Sequence, residues 1–369
     1  MSNNIYLSVG ILCKNEEDVI ERCVNHLNDH VDEIVICDTG STDNTIEIIN
    51  NLKNDKIKLV TDYKWNKNFA EARNYVTTHC SGEWILVNDA DSILNTNINI
   101  KNYLKSLKNN IDVVQVYYLY GSLKYYLPLI YKKKKEIYWK YNFHNVLCFK
   151  GCASATCNDI YFIEKKNKKS HAGRKDRQND LLDYFNKMNI EEPNDTRCWF
   201  YCANTYWDNN IFDKAIEKYE GRIKLGGWAE EIYYSLYKIA LCKLRLGKNM
   251  DEVVYDFLKA HNYRPHRLEA LYAVVCHYKN KKDYKKAFAY GMLGYNSRKC
   301  NDVLFVNNQV HAYLFDFELS IAAYWVGSYG ICKILTEKLL KEKKYASNYE
   351  KSLKNNLNFS IKKLEEIKN

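Results

Sequence analysis

Two apolar runs that stop at acidic residues constrain this chain most. Ile34-Val35-Ile36-Cys37 ends on Asp38, and Trp84-Ile85-Leu86-Val87-Asn88 ends on Asp89-Ala90-Asp91. Continuous apolar runs that alternate with helical patterns are the strands of a parallel sheet covered on both faces. In such sheets ligands sit beyond the carboxyl ends of the strands, so Asp38, Asp89 and Asp91 are expected in one crevice. Residues two apart in an extended segment point the same way. Asp89 and Asp91 can therefore both face one hard cation, Mg²⁺ or Mn²⁺, and the diphosphate it bridges.

The surrounding pattern agrees. Ile5–Cys13 reads as a first buried strand, with Asn15 as a helix N-cap and Glu16, Glu17 and Asp18 in the first turn. Val19, Ile20, Cys23, Val24 and Leu27 then recur at helical spacing. Strand Glu33–Cys37, a helix with the stripe Ile46, Ile49 and Leu52, strand Ile57–Val60, helix Phe69–His79 and strand Glu83–Val87 follow in alternation. Asp112–Tyr120, Leu123–Tyr131 and Ile137–Tyr138 alternate more strongly and read as antiparallel additions. From about Asn179 the chain is helical to its end.

Four motifs stand in order: Lys14-Asn15-Glu16, Asp38-Thr39-Gly40-Ser41-Thr42-Asp43, Phe69-Ala70-Glu71-Ala72-Arg73-Asn74 and Asp89-Ala90-Asp91. Together they resemble the family 2 glycosyltransferases of GT-A fold, over about the first 175 residues. The resemblance implies an α/β, Rossmann-like mixed-sheet domain at residues 1–175 that binds a nucleotide-sugar, a UDP-sugar being favoured. It implies a hexosyl- or N-acetylhexosaminyltransferase that is metal-dependent and inverting. Lys14, Asn15, Glu16, Asp38, Thr39, Arg73 and Asp89 fall at donor-binding positions, and Asp89 and Asp91 at the metal motif, with Asp91 the more direct ligand. His171, in Ser170-His171-Ala172-Gly173, resembles a histidine that joins the metal after the sheet; a loop histidine in a basic run is the equal alternative. Each donor residue also has a structural reading: Asp38 as a cap for the helix from Thr42 to Leu52, Asn15 as a cap, Arg73 as a surface residue.

Two departures bear on mechanism. Many relatives carry Asp-Asp-x-Ser, whose second Asp reads the uracil edge, where this chain has Asp38-Thr39-Gly40-Ser41; the base is left open. Relatives also often carry His-Glu at the position of His144-Asn145. Asn145 cannot take a proton, so the acceptor base falls to His144, whose ordinary pKa suits neutral pH, or to a carboxylate such as Asp159 or Glu164.

In the helical half, residues 176–369, Ala203, Tyr206, Phe212, Ala215 and Tyr219 match the small and aromatic spacing of tetratricopeptide repeats. Val253, Ala260 and Pro265 continue the pattern, then Tyr278, Tyr284, Ala287 and Gly294, with a looser helix pair over roughly Val310–Leu340 and a capping helix after Lys341. Such hairpins stack because each leaves an apolar face only a neighbour can cover. The architecture resembles bacterial glycosyltransferases that modify peptides, which implies a peptide or protein acceptor held by the repeats. A lipopolysaccharide or glycan acceptor is the alternative within the class, and a catalytically weak binding scaffold the alternative outside it.

Composition narrows the setting. No apolar run approaches the ~20 residues a spanning helix needs, and Met1–Leu7 lacks the charged start of a secretory signal. The 13 cysteines are scattered without a Cys-x-x-Cys pair, which argues against zinc or a disulfide scaffold and for a reduced, cytoplasmic compartment. The net charge of +10 suits an anionic partner such as a nucleotide diphosphate. Lys132–Lys135 and Lys165–Lys169 hold much of that charge, with a solvated loop as the plainer reading; no recognised nucleic-acid fold accompanies them.

Overall fold

The computed structural model describes residues 5–120, 123–164, 174–297 and 300–368. It divides into two compact units, Met1–Arg177 and Gln178–Asn369.

In the first unit, β1 (Leu7–Cys13), α1 (Ile20–Leu27), β2 (Glu33–Asp38), α2 (Thr45–Asn51), β3 (Ile57–Val60), α3 (Phe69–His79) and β4 (Trp84–Asp89) alternate. There follow β5 (Ser92–Thr96), α4 (Ile100–Ser106), β6 (Ile111–Tyr120), β7 (Leu123–Lys132), β8 (Tyr138–Lys140), β9 (Val146–Cys148) and β10 (Ala153–Glu164). The eight-stranded sheet has the order β3-β2-β1-β4-β7-β6-β10-β5. β1 pairs in parallel with β2 and β4, and β2 with β3, so their carboxyl ends lie along one edge. That is the α/β, GT-A-type mixed sheet. β6 and β7 form the expected antiparallel hairpin. β5, and β10 running parallel to β6, were not expected; their small and polar residues hide them among loops.

Every residue of β2 is buried, and so is all of β1 except Leu12. The amino-terminal edge of the sheet is knotted by polar groups. Ser8 Oγ donates to Glu33, Ser81 N–H donates to Glu33 Oε2 at 2.7 Å, and Gly82 N–H donates to Ser8 Oγ at 2.8 Å. A Cβ on Gly82 would lie 2.7 Å from Ser8 N, so the helix-stopping Ser81-Gly82 pair is also a packing requirement. Much of the Lys132–Lys135 run is spent here as well. Lys132 and Lys134 pair with Asp112 at 3.3 and 2.7 Å, and Lys133 donates to the Thr78 and Cys80 carbonyls at 3.1 and 2.8 Å. These lysines brace β6, β7 and α3 at the edge opposite Asp38 and Asp89.

α5 (Arg174–Glu191) leads into paired helices. The pairs are α6 (Thr196–Asp208) with α7 (Phe212–Lys224), α8 (Ala229–Arg245) with α9 (Met250–Tyr263), α10 (Glu269–Asn280) with α11 (Tyr284–Gly294), and α12 (Phe315–Trp325) with α13 (Tyr329–Glu342). A π-helical turn, Val310–Leu314, feeds α12, and α14 (Glu350–Lys368) closes the row, burying its own Leu353 with Tyr313, Phe317 and Leu339. The repeat-signature residues do pack as such. Ala203, Ala215 and Tyr219 form one core with Tyr206 and Phe212 against it, and Val253, Ala260, Tyr278 and Ala287 share the next. Gly294 is where α11 closes on its neighbours: a Cβ there would lie 2.7 Å from Phe315 and 2.8 Å from Leu268. The second unit is a tetratricopeptide-like helical domain.

Its interior holds ion pairs. Arg222 donates to Glu231 at 2.7 Å, and Arg267, 1 % exposed, lies 3.0 Å from Glu269. Burial would push the Glu269 carboxyl up, but His311 and Arg267 outweigh it and hold its pKa at about 2 rather than 4.5. A depressed acid stabilises the fold above its unfolded pKa and loses that contribution as pH falls through the folded one. Melting temperature should therefore fall as pH drops from about 4.5 toward about 2. Glu269→Gln should remove this residue's share of that slope and cost about 3 kcal/mol at neutral pH by taking from the buried Arg267 its closer carboxylate, leaving only Asp302 at 3.4 Å. Urea unfolding of both proteins across that pH range checks it.

Candidate functional site

The loops after β1, β2 and β4 build the site. Asn15 follows β1 in the left-handed region, φ 56°. It does not cap α1, which starts at Ile20 behind Val19. Instead its Oδ1 accepts the Thr42 N–H at 2.7 Å, and its own N–H donates to Ser41 Oγ at 2.9 Å. Glu16 N–H donates to Thr45 Oγ1 at 2.8 Å. The Lys14-Asn15-Glu16 turn is thus stitched to the Ser41–Thr45 turn, where sequence spacing had made Asn15 a cap for its own helix.

Asp38, at the end of β2, is 3 % exposed. Its Oδ1 accepts the N–H groups of Gly40 and Ser41 at 2.9 and 2.8 Å, and its Oδ2 accepts the Ser41 hydroxyl. It braces its own turn and does not cap α2, whose Thr45 N–H bonds Asp43 at 3.0 Å. Gly40 has φ 105°, a conformation that other residues adopt only at a cost. Thr39 is buried beside it, donating through its N–H and its Oγ1 to the Cys13 carbonyl at 2.9 and 3.1 Å.

Asp89 is the exposed member of the β4 end, its side chain 52 % accessible. Arg73, one turn into α3, donates to it at 2.7 Å and lies 4.9 Å above the Trp139 ring. With its side chain 13 % exposed, Arg73 is not a surface residue. Its Nε is buried without a hydrogen-bond partner. Asn88, buried, turns the chain between the two acids by donating to the Asp89 and Ser92 carbonyls at 2.9 and 3.4 Å.

Like charge couples the three loops unfavourably. Glu16 is pushed up to about 7, first by burial and then by Asp91, Asp43 and Asp89. Glu16 therefore lies close enough to Asp91, Asp43 and Asp89 to feel their charge, and Arg73 pairs with Asp89. Among the described residues no third His, Cys, Asp or Glu donor closes with Asp89 and Asp91 into a set within 4.8 Å. The one such set, His266, Cys300 and Asp302, lies in the helical unit, and Arg264 and Arg267 already neutralise its Asp302. His171 lies outside the described residues.

The other named residues fall as follows. His144, exposed and at φ 46°, sits on the loop between β8 and β9. That loop is fixed to the start of α3: the Asn142 carbonyl accepts the Phe69 N–H at 3.0 Å, and the Phe143 and Phe69 rings are 6.2 Å apart. Asn74 holds the loop's root, exchanging two hydrogen bonds with the Trp139 backbone at 2.8 and 2.9 Å. Glu164 pairs in register with Ser92, the residue after Asp91. Asp159 lies five residues back along β10, roughly 16 Å away at ~3.3 Å per residue. The sequence reading gave no role to Asn74, which closes the third motif, to Asn88 or to Trp139. A polar Asn inside the apolar β4 run was the available signal for Asn88; nothing local announces a pairing across 65 residues.

Residues 8–162 match the model of the family described as "Glycosyl transferase family 2". The first unit carries a family 2 glycosyltransferase domain. The glycosyltransferase SunS of Bacillus subtilis is 36 % identical over 88 residues, 24 % of this chain and 20 % of that protein. An uncharacterized glycosyltransferase of Mycoplasma genitalium is 30 % identical over 142 residues, 36 % of this chain and 48 % of that one. The matches thus span a fifth to about half of these relatives' lengths. Among solved structures, S. aureus TarS 1-349 in complex with UDP-GlcNAc is similar at a TM-score of 0.38 and 14 % identity, covering 83 % of this chain and 95 % of that one.

In the family 2 domain the Asn74 clamp is testable alone. Asn74→Ala should cost about 2 kcal/mol, two hydrogen bonds at ~1 kcal/mol each, and speed amide exchange at Trp139. An unchanged urea midpoint with unchanged exchange would show that the clamp does not hold the loop.

Proposed function

We propose that this chain is a metal-dependent, inverting glycosyltransferase that uses a nucleotide-sugar, a UDP-sugar being favoured, and holds a peptide or protein acceptor on its helical unit. The observation that carries the reading is the carboxylate cluster of Glu16, Asp43, Asp89 and Asp91 at three converging strand ends, inside a family 2 domain.

The cluster fits a divalent cation. Hard cations take one or two carboxylates together with substrate phosphates, and here Asp89 and Asp91 would be the protein ligands, with His171 a further candidate. Bound there, Mg²⁺ or Mn²⁺ would offset the charge that develops on the leaving diphosphate. The protein groups do the rest. Lys14 and Asn15 would face the nucleoside end, with Asp38 and Thr39 buried behind them and bracing the turn that carries Gly40 and Ser41. Arg73 carries a buried, unpartnered Nε–H, and its planar fork suits a phosphate oxygen. His144 takes the proton of the acceptor group as that group attacks the anomeric carbon from the face opposite the diphosphate. All 13 cysteines are free thiols, and no described helix is long and apolar enough to cross a membrane; both suit a cytoplasmic setting.

The test is donor turnover with Mn²⁺ and UDP-sugars. Wild type should hydrolyse one donor slowly without acceptor and faster with a peptide acceptor. Asp91→Ala should lose at least about a hundredfold of both, since an electrostatic stabiliser of this kind contributes roughly 10²–10³ in rate. His144→Ala should lose transfer while retaining donor binding; unchanged transfer would move the base to Glu164. No metal-dependent turnover of any nucleotide-sugar would overturn the assignment.

A further inference from the structure

The segment between α11 and the π-helical turn is held in an unusual way. Its own turns leave several backbone groups to the helices. One Glu230 carboxylate oxygen accepts the N–H groups of Val303 and Leu304 at 2.8 and 2.7 Å. Arg267 donates to the Leu304 and Phe305 carbonyls at 3.1 and 3.4 Å, and Glu269 accepts the Asn307 N–H at 3.0 Å. These bonds engage main chain, which every peptide shares. Sequence identity enters through Phe305, whose ring lies 5.0 Å from Tyr234 and 6.3 Å from Phe200. The seat comes from three successive hairpins: Phe200 on α6, Glu230 and Tyr234 on α8, and Arg267 and Glu269 at the start of α10.

The segment is anchored but not sunk. Phe305 remains 42 % exposed and Val303 52 %. Phe305 also has φ 47°, which costs a residue with a Cβ about 1–2 kcal/mol. Asp302, held by Arg264 at 2.8 Å and by His266 at 2.9 Å, fixes the root. Lifting residues 303–307 would leave no orphaned buried charge, because Arg267 keeps Glu269.

We propose that residues 303–307 are a resident occupant of a seat for a peptide that bends at an aromatic residue, and that such a peptide displaces them. The proposal rests on the reading of the helical unit as the acceptor holder and names its site. An incoming peptide pairs its backbone with Glu230, Arg267 and Glu269 and places its ring against Phe200 and Tyr234. The tethered segment competes at high effective concentration, so the seat is closed to weak ligands.

The probe is a fluorescent peptide of residues 301–308, Asn-Asp-Val-Leu-Phe-Val-Asn-Asn, titrated into the full chain by anisotropy. Phe305→Ala, which loosens the tethered occupant, should bind it about tenfold or more tighter than wild type, as expected when an intramolecular competitor is removed. The same peptide with its Phe replaced by Ala should bind neither protein, and Glu230→Gln added to Phe305→Ala should weaken binding again. Equal binding to wild type and Phe305→Ala, or binding to neither while the variant melts cooperatively, overturns the seat. UDP binding on the same samples reads the transferase assignment separately. UDP binding without peptide binding overturns the seat alone, and peptide binding without UDP binding keeps the seat and overturns the assignment.

Discussion

The structure of the first unit depends on an electrostatic debt at one edge of its sheet. Parallel pairing of β1, β2 and β4 brings their carboxyl ends together, and each end carries acids. Glu16 records the consequence, its carboxyl raised to about 7 by burial and by Asp91, Asp43 and Asp89. Arg73 answers part of that charge through Asp89. The opposite edge is built the other way, with Glu33 and Asp112 satisfied by backbone N–H groups, hydroxyls and lysines. One edge is therefore a self-contained brace of acids and lysines; at the other, Asp38 and Asp43 are held within their own turns and the unfavourable charge falls on Glu16.

Much of this was legible in the sequence because it lies in local patterns. Apolar runs of β period, each ended by an acid, name the sheet and its functional edge. The Arg73–Asp89 pair spans 16 residues and joins two recognised motifs. What stayed hidden is held by long-range polar contacts. Asn15 looked like a cap for the helix after it, yet it bonds Thr42 across 27 residues. The Lys132–Lys135 run read either as a patch for an anionic partner or as a solvated loop, and three of its lysines are instead occupied with Asp112 and with carbonyls of the α3 end. Charge counted along a sequence does not say which charges the fold has already used. β10 escaped for a similar reason, since its pairing with β6 shifts register between Cys157 and Tyr161 and blurs the alternation that would betray it.

In the helical unit the small residues of the repeat pattern were legible because they mark close approach. Ala203, Ala215 and Ala287 are fully buried, and Gly294 leaves no room for a side chain. The interior ion pairs were not legible, because nothing in the sequence around Arg222 and Arg267 marks them as buried beside Glu231 and Glu269. Arg222 and Glu231 tie α7 to α8, while Arg267 and Glu269, two residues apart, also hold the backbone of residues 303–307. Packing and recognition use the same side chains here.

The central claim is that the acidic edge of the sheet is completed by a divalent cation and a nucleotide diphosphate together. Calorimetric titration of UDP, with and without Mn²⁺, tests it most directly. Cooperative occupancy predicts a Kd at least about tenfold lower with Mn²⁺, equivalent to about 1.4 kcal/mol of coupling. Equal affinity in the two titrations would contradict the account, since the carboxylates would then take no part in holding the diphosphate.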